Sequence, residues 1–108
     1  MSTPAPIDVA TFEANAAAAA RLMRALANER RLMILCKLTK GERSVGALQT
    51  EIGLSQSALS QHLALLREDG IVATRREGQT IHYRITDDAA SKVIATLAEI
   101  YCPSEPLC

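Results

Sequence analysis

The stretch Ser55–Asp69, SQSALSQHLALLRED, decides the fold because its two faces have opposite chemistry. Its leucines recur at the spacing of one helical face and form an apolar stripe of Leu59, Leu63 and Leu66. The other face is mainly serine and glutamine, where a solvated helix usually carries glutamate and lysine. Ser55 is a suitable N-cap and Gly70 a suitable left-handed stop. The stretch is therefore predicted to be a helix with a polar recognition face.

The preceding segment indicates what this helix does. Ser44–Ile52 reads as a short helix capped by Ser44, and Gly53–Leu54 forms a tight link to the serine-rich helix. Two short helices joined through a turn that contains glycine are typical of a helix-turn-helix, which lays its second helix in the DNA major groove. The pair is therefore predicted to read DNA.

Length and charge are compatible with this prediction. The chain has 108 residues, 48% of them hydrophobic and only 3% aromatic, which predicts one small, mainly helical domain over residues 1–108. The net charge is zero, yet residues 21–84 carry eleven basic and six acidic side chains, so the middle is basic and the ends are acidic. No apolar run approaches the roughly 20 residues that span a membrane, and the start lacks a targeting pattern. A cytoplasmic protein is expected.

Helices are predicted on either side of the helix-turn-helix. Asp8–Ala27 has an apolar seam, Glu29–Thr39 is capped by Asn28 and apolar nearly all round, and Ala89–Tyr101 closes the domain. Residues 1–8 and 103–108 are expected to be flexible. An isolated monomer would leave the first and last helices half exposed, so they are expected to pair across a two-fold axis.

After Gly70 the apolar period changes from helical to alternating. Ile71–Arg76 and Thr80–Ile85 are predicted to form a β-hairpin around Glu77–Gln79. Beside a helix-turn-helix such a hairpin is a wing. Its arginines are expected to reach phosphates or the adjacent minor groove, and they are Arg75, Arg76 and Arg84.

Three motifs in this order resemble the ArsR/SmtB family of winged-helix repressors. They are Leu26–Leu32 (LANERRL), Leu54–Leu63 (LSQSALSQHL) and Leu66–Ile71 (LREDGI). The resemblance implies a homodimer that binds a palindromic operator in double-stranded DNA and is released by a small inducer. It also implies that the residues at the DNA interface are Gln56, Ser57, Ser60, Gln61 and His62.

The chain departs from the metal-sensing members of that family. The Cys-Val-Cys motif of those proteins would fall near Ser44–Gly46, where no thiol is present, and residues 88–101 contain no histidine. The histidines, His62 and His82, lie on the recognition helix and in the wing, without zinc-ligand spacing. No metal site and no cofactor are predicted.

Three cysteines remain: Cys36, Cys102 and Cys108. A structural disulfide is not the default in a cytoplasmic protein, and Cys36 alone reads as a small apolar core residue. One cysteine on the central helix and one at the end of the last helix resemble the sulfide-responsive BigR/SqrR-like subgroup. That resemblance implies that reactive sulfur species link Cys36 and Cys102, and that the operator is then released.

Several alternatives stay open at this level. The inducer is a persulfide, another oxidant or thiol-reactive compound such as a peroxide or quinone, or, less in keeping with the sequence, a metal. A thiol transferase lacks a histidine or carboxylate placed by sequence to activate the thiol, so an enzyme is not predicted. A winged-helix interaction module without DNA affinity conflicts with the wing arginines and the serine and glutamine face.

Overall fold

The computed structural model describes residues 6–102. Over this range the elements are α1 (Val9–Leu26), α2 (Glu29–Leu38), β1 (Arg43–Ser44), α3 (Val45–Ile52), α4 (Gln56–Glu68), β2 (Val72–Glu77), β3 (Thr80–Ile85) and α5 (Asp88–Tyr101). This order confirms the predicted winged helix-turn-helix, with α3 and α4 as the paired helices and β2–β3 as the wing. Most of the predicted flexible ends, residues 1–5 and 103–108 with Cys108, lie outside the described residues.

Short polar side chains fix where the helices begin. A side-chain oxygen accepts a hydrogen bond from a backbone N–H of the first helical turn at Asp8, Asn28, Ser44, Ser55 and Asp87. Gly53 ends α3 in the left-handed conformation with φ 78°, and Gly70 follows α4 with φ 72°. The caps predicted from the sequence at Asn28, Ser44 and Ser55 are therefore confirmed.

The wing belongs to a three-stranded antiparallel sheet in the order β1-β3-β2. The hairpin pairs Arg75 with His82 and Glu77 with Thr80, so its turn is Gly78–Gln79, with Gly78 at φ 62°. Strand β1 was not predicted, because two residues carry no readable alternation. It pairs Arg43 with Tyr83 and so joins the loop after α2 to the wing.

Helix α2 occupies the middle of the core. Its Ile34 and Leu35 have no exposed surface, and the helix contacts α3, α4, α5 and β3. The three leucines predicted as the inner stripe of α4 are buried as expected. On α5 the residues that pack inward are Ala90, Ile94 and Ala98, whereas Val93 and Leu97 are half-buried and Ile100 is exposed.

Helix α1 extends away from this core. Only Ala25 and Leu26 at its end are buried, while Phe12 and Met23 of the predicted seam are 57% and 48% exposed. Helix α5 likewise keeps an apolar line on its outer side. One protomer therefore leaves the apolar faces of both terminal helices largely open to solvent.

Adjacent leucines on α4 test this packing. We expect Leu66→Ala to lower the free energy of unfolding by about 2–5 kcal/mol, because the side chain is fully buried and its removal leaves a cavity. Leu65→Ala is the matched control; Leu65 is 48% exposed, so its loss should change stability by less than about 0.5 kcal/mol. Urea unfolding at one protein concentration measures both. Equal effects would mean that the face of α4 is misassigned.

Candidate functional site

The outer face of α4 presents the polar residues predicted to read DNA. Four of the five are exposed: Gln56, Ser57, Ser60 and Gln61. Ser55, which caps the helix through Ala58 N–H at 3.2 Å, also lies 3.5 Å from the Ser57 hydroxyl. The serine and glutamine face is thus held at the start of a well-capped helix, where a major groove can receive it.

The fifth residue, His62, is placed differently. It is half-buried, and its Nδ1 is buried with no hydrogen-bond partner in residues 6–102. Burial lowers the pKa of His62, and the nearby Arg31 and Arg30 lower it further. Arg31 itself donates from Nε to the Ala25 carbonyl at 2.6 Å, at the end of α1. His62 therefore differs from the other four residues, because part of its ring is buried within the protein.

A cleft of about 270 Å³ separates α4 from the wing. It is lined by Val45, Gln56, Ser60, Leu63, Gln79, Ile81 and Tyr83. The cleft brings two of the predicted base-reading residues beside the turn of the hairpin. Sequence reasoning missed Gln79, because nothing in the pattern shows that the turn lies next to the start of α4.

The arginines of the wing divide between its two faces, because successive strand residues point in opposite directions. Arg76 is paired with Ile81, on the face that borders the cleft, and is exposed. Arg75 and Arg84 fall on the other face, with His82. Arg84 is exposed, whereas Arg75 makes a side-on ion pair with Glu42, whose carboxylate lies 2.7 Å from Nη2. Sequence reasoning did not single out Glu42, 33 positions away.

The candidate sensing residues lie at a second place, between α2 and α5. Cys36 and Cys102 line one cavity of about 440 Å³, together with Leu32, Met33, Ile94, Leu97, Ala98 and Tyr101. Cys36 is 7% exposed. Cys102 caps the end of α5, where its N–H donates to the Ala98 carbonyl at 2.7 Å, and it is half-buried. The two cysteines predicted as a pair are therefore brought to the same apolar cavity.

The redox states of the two cysteines differ in this structure. Cys102 is a free thiol, and Cys36 is disulfide-bonded. The structure therefore contains no bond between Cys36 and Cys102.

Ion pairs connect the end of α2 to the DNA-reading unit. Glu51 of α3 lies 3.8 Å from Lys37 Nζ and 3.7 Å from Arg43 Nε. The Thr39 hydroxyl donates to the Cys36 carbonyl at 2.6 Å and closes the last turn of α2. Each exposed pair is weak alone, yet together they tie the cysteine-bearing helix to α3 and to the strand that joins the wing.

Metal-binding clusters and membrane-spanning helices are both absent from residues 6–102. No group of three histidine, cysteine, aspartate or glutamate side chains in this range is arranged to hold a metal ion. None of the helices there is long and apolar enough to cross a membrane.

The environment of His62 generates a pH prediction. Folding lowers its pKa from 6.5, so below that pH the folded state binds fewer protons than the unfolded chain. The stability that His62 contributes is complete above 6.5 and is lost as the pH falls through the lower, folded-state pKa. Wild type should therefore lose more stability than His62→Gln between about pH 7.5 and 5 in urea unfolding. Parallel losses in the two proteins would contradict this assignment.

Comparison with known proteins identifies the family. The model of the family described as bacterial regulatory protein, arsR family, matches residues 28–74. The chain is 50% identical over 98 residues to the transcriptional activator HlyU of Vibrio cholerae serotype O1, and the match covers 91% of each.

Two solved structures are similar throughout. The transcriptional repressor BigR from Xylella fastidiosa superposes with a TM-score of 0.84 at 42% identity, over 89% of this chain and 98% of that one. The homodimeric winged helix-turn-helix DNA-binding domain Mb0332 from Mycobacterium bovis gives 0.70 at 33% identity, over 94% and 91%. The chain therefore belongs to the ArsR family of bacterial regulatory proteins, and it is a winged helix-turn-helix transcriptional regulator, not an enzyme.

Proposed function

We propose that this regulator is a homodimeric repressor that binds a palindromic operator and releases it when reactive sulfur species link Cys36 and Cys102. The observation that carries the proposal is the shared cavity: two cysteines 66 positions apart in sequence line the same space between α2 and α5.

The proposed DNA contacts come from α4 and the wing. Ser57, Ser60 and Gln61 offer hydrogen-bonding groups to base edges from the exposed face of α4, with Gln56 at its start. Arg76 and Arg84 are exposed and suited to the DNA backbone. Arg75 is not among these proposed backbone contacts, because Glu42 holds its guanidinium. His62 is proposed to support α4 from its inner side.

The proposed dimer uses the terminal helices. The exposed apolar side chains there are Ile7, Val9, Phe12 and Met23 at α1 and Ile100 and Tyr101 on α5. Several large apolar side chains exposed on the two terminal helices are typical of an interface between subunits. The similar Mb0332 domain is homodimeric, which supports the same arrangement here. A dimer would present two α4 helices to successive major grooves, about 34–36 Å apart.

The sulfur chemistry requires only the two thiols and a persulfide. In the reduced protein, one cysteine thiolate attacks the outer sulfur of a persulfide RSSH, and RSH leaves. The second thiolate then attacks the resulting cysteine persulfide, which forms the Cys36–Cys102 disulfide and releases H₂S. The thiols are oxidised by two electrons and the transferred sulfur is reduced. If the second cysteine is also persulfidated before closure, one extra sulfur stays in the bridge and a second RSH is formed.

Release of DNA follows from where the bridge would lie. It would join α2, which contacts α4, to α5, which is proposed to hold the dimer. A plain disulfide requires the Cα atoms of the two cysteines to lie within roughly 7 Å of each other. A bridge that contains an additional sulfur atom would therefore hold α2 and α5 at a different spacing. A small shift between the two α4 helices would misalign them with successive grooves. Allosteric coupling of about 1–3 kcal/mol lowers affinity by roughly 5–150-fold.

The DNA contacts are tested by comparing two substitutions on DNA upstream of the protein's own gene and on a random duplex. Gln61→Ala should cost about 1–3 kcal/mol on the specific site and relax sequence preference, because a base-edge contact is lost. Arg76→Ala should weaken binding to both duplexes by a similar factor. It should also reduce the slope of log K against log salt by about 0.9 for each wing. An unchanged preference in Gln61→Ala would reject α4 as the reading helix.

The sensing pair is tested by three serine variants, each fully reduced before use. Cys36→Ser and Cys102→Ser should bind DNA when reduced yet keep it after addition of glutathione persulfide, because neither can close the bridge. Cys108→Ser removes the third cysteine, and the proposal expects this variant to release DNA nearly as the wild type does. Gel shifts with persulfide, peroxide and glutathione disulfide separate the inducers. If Cys36→Ser and Cys102→Ser both still released DNA after persulfide addition and Cys108→Ser did not, sensing would depend on other sulfur chemistry.

A further inference from the structure

The outer face of the wing carries a charged cluster that the proposed DNA contacts do not explain. It consists of Glu42, Arg75, Glu77, His82 and Arg84. Strand alternation puts Arg75, Glu77, His82 and Arg84 on one face, opposite to Arg76 and the cleft. Glu42 reaches the same face from the loop before β1. Three basic side chains on a DNA-binding wing are thus met by two carboxylates of the same protomer.

Glu42 and Arg75 make the closest contact in this cluster. Nη2 of Arg75 lies 2.7 Å from Oε1 of Glu42, and Nε donates to Oε1 at 3.1 Å and to Oε2 at 3.3 Å. Glu77 adds a longer approach, 3.7 Å from Nη1 to Oε2. His82 Nδ1 lies 4.0 Å from the same Glu42 oxygen. The side-on fork of Arg75 is therefore occupied by the carboxylate of Glu42.

Neighbouring basic side chains keep the carboxylate of Glu42 ionised. The hydrogen bond from Arg75 lowers the pKa of Glu42, and the charges of Arg75, His82 and Arg84 lower it further. The same contact raises the pKa of Arg75. Both partners are charged across the neutral range, so the pair persists at the pH at which the protein would meet DNA.

We infer that Glu42 is an internal substitute for a DNA phosphate, which keeps Arg75 off the backbone and so limits binding to DNA of any sequence. Carboxylate and phosphate oxygens accept the same two-pronged donation from arginine, so they compete for one guanidinium. Arg75 remains 46% exposed at its side chain and would reach solvent-side phosphates once Glu42 is neutral. Glu42 is thus a specificity-determining residue, because it reduces sequence-independent affinity without touching the reading face of α4.

This inference rests on the proposed DNA binding and makes a quantitative statement about salt dependence. Each phosphate neutralised by a protein cation contributes about 0.9 to the slope of log K against log salt on duplex DNA. If Arg75 is held by Glu42, removing Arg75 should leave the slope unchanged. If Glu42 releases Arg75, each wing should gain one phosphate contact. The slope of log K against log salt should then become steeper by about 0.9 for each wing, and the affinity near 0.15 M salt should rise on the order of fivefold.

The experiment measures binding of the full chain to a random-sequence 24-base-pair duplex over a salt series. The variants are Glu42→Gln, Arg75→Ala and the double variant, with Glu77→Gln as the matched control. Glu77→Gln removes the same charge from the same face, but Glu77 only approaches Arg75 at 3.7 Å. Circular dichroism melts show that each variant is folded, and any that is not is replaced by Glu42→Ala or Arg75→Gln.

Each of the four variants has its own expected result. Glu42→Gln steepens the slope and tightens binding, Arg75→Ala keeps the wild-type slope, and the double variant returns to it. Glu77→Gln shifts affinity slightly with no change in slope. A flatter slope in Arg75→Ala, or the same behaviour in Glu42→Gln and Glu77→Gln, would overturn the inference. Failure of the wild type to bind any duplex would instead reject the proposed DNA binding itself.

Discussion

Burial of α2 is the constraint on which the rest of the structure depends. Ile34 and Leu35 have no exposed surface, and the helix contacts α3, α4, α5 and β3. A close-packed interior does not deform continuously, so a displaced core helix must move its neighbours or leave a void. The cysteine at position 36 is therefore on a helix that contacts the reading helix α4, strand β3 of the wing and α5.

Ion pairs at the end of α2 also connect this helix to the DNA-reading elements. Glu51 approaches Lys37 of α2 and Arg43 of β1, and the loop between these two carries Glu42, which holds Arg75. Core packing and a row of ion pairs thus run from the cavity between α2 and α5 towards both DNA-facing elements. Exposed ion pairs are weak individually, so we regard the packing as the main carrier of any coupling and the charges as a means of setting wing position.

Much of the fold was predictable because its signals are local. A capping serine, a glycine with positive φ and a leucine stripe each depend on a few neighbouring residues, and the predicted starts of α3 and α4 agree with the structure within a residue. The strand β1 was missed, since a two-residue strand has no period. The sequence did not show which side of α5 packs inward, since α5 has apolar residues on two sides. Tertiary context alone decides which side packs inward.

In the candidate site, too, features set by local sequence were predictable and contacts between distant residues were not. The exposed positions of Ser57, Ser60 and Gln61 followed from helical period, but the burial of His62 Nδ1 depends on tertiary packing, which helical period does not show. The capture of Arg75 by Glu42 joins residues 33 positions apart and leaves no mark in the sequence. The meeting of Cys36 and Cys102 at one cavity was implied by family resemblance rather than by spacing, and it is a contact between distant segments.

The most direct test of the account is mass spectrometry of the fully reduced protein after reaction with glutathione persulfide, with peroxide and glutathione disulfide in parallel. The account predicts one dominant cross-linked peptide pair joining Cys36 to Cys102 within a protomer after persulfide treatment. Its yield should rise together with operator release. Release of DNA while Cys36 and Cys102 stay unlinked, or a complete Cys36–Cys102 link on protein that still binds its operator, would contradict it.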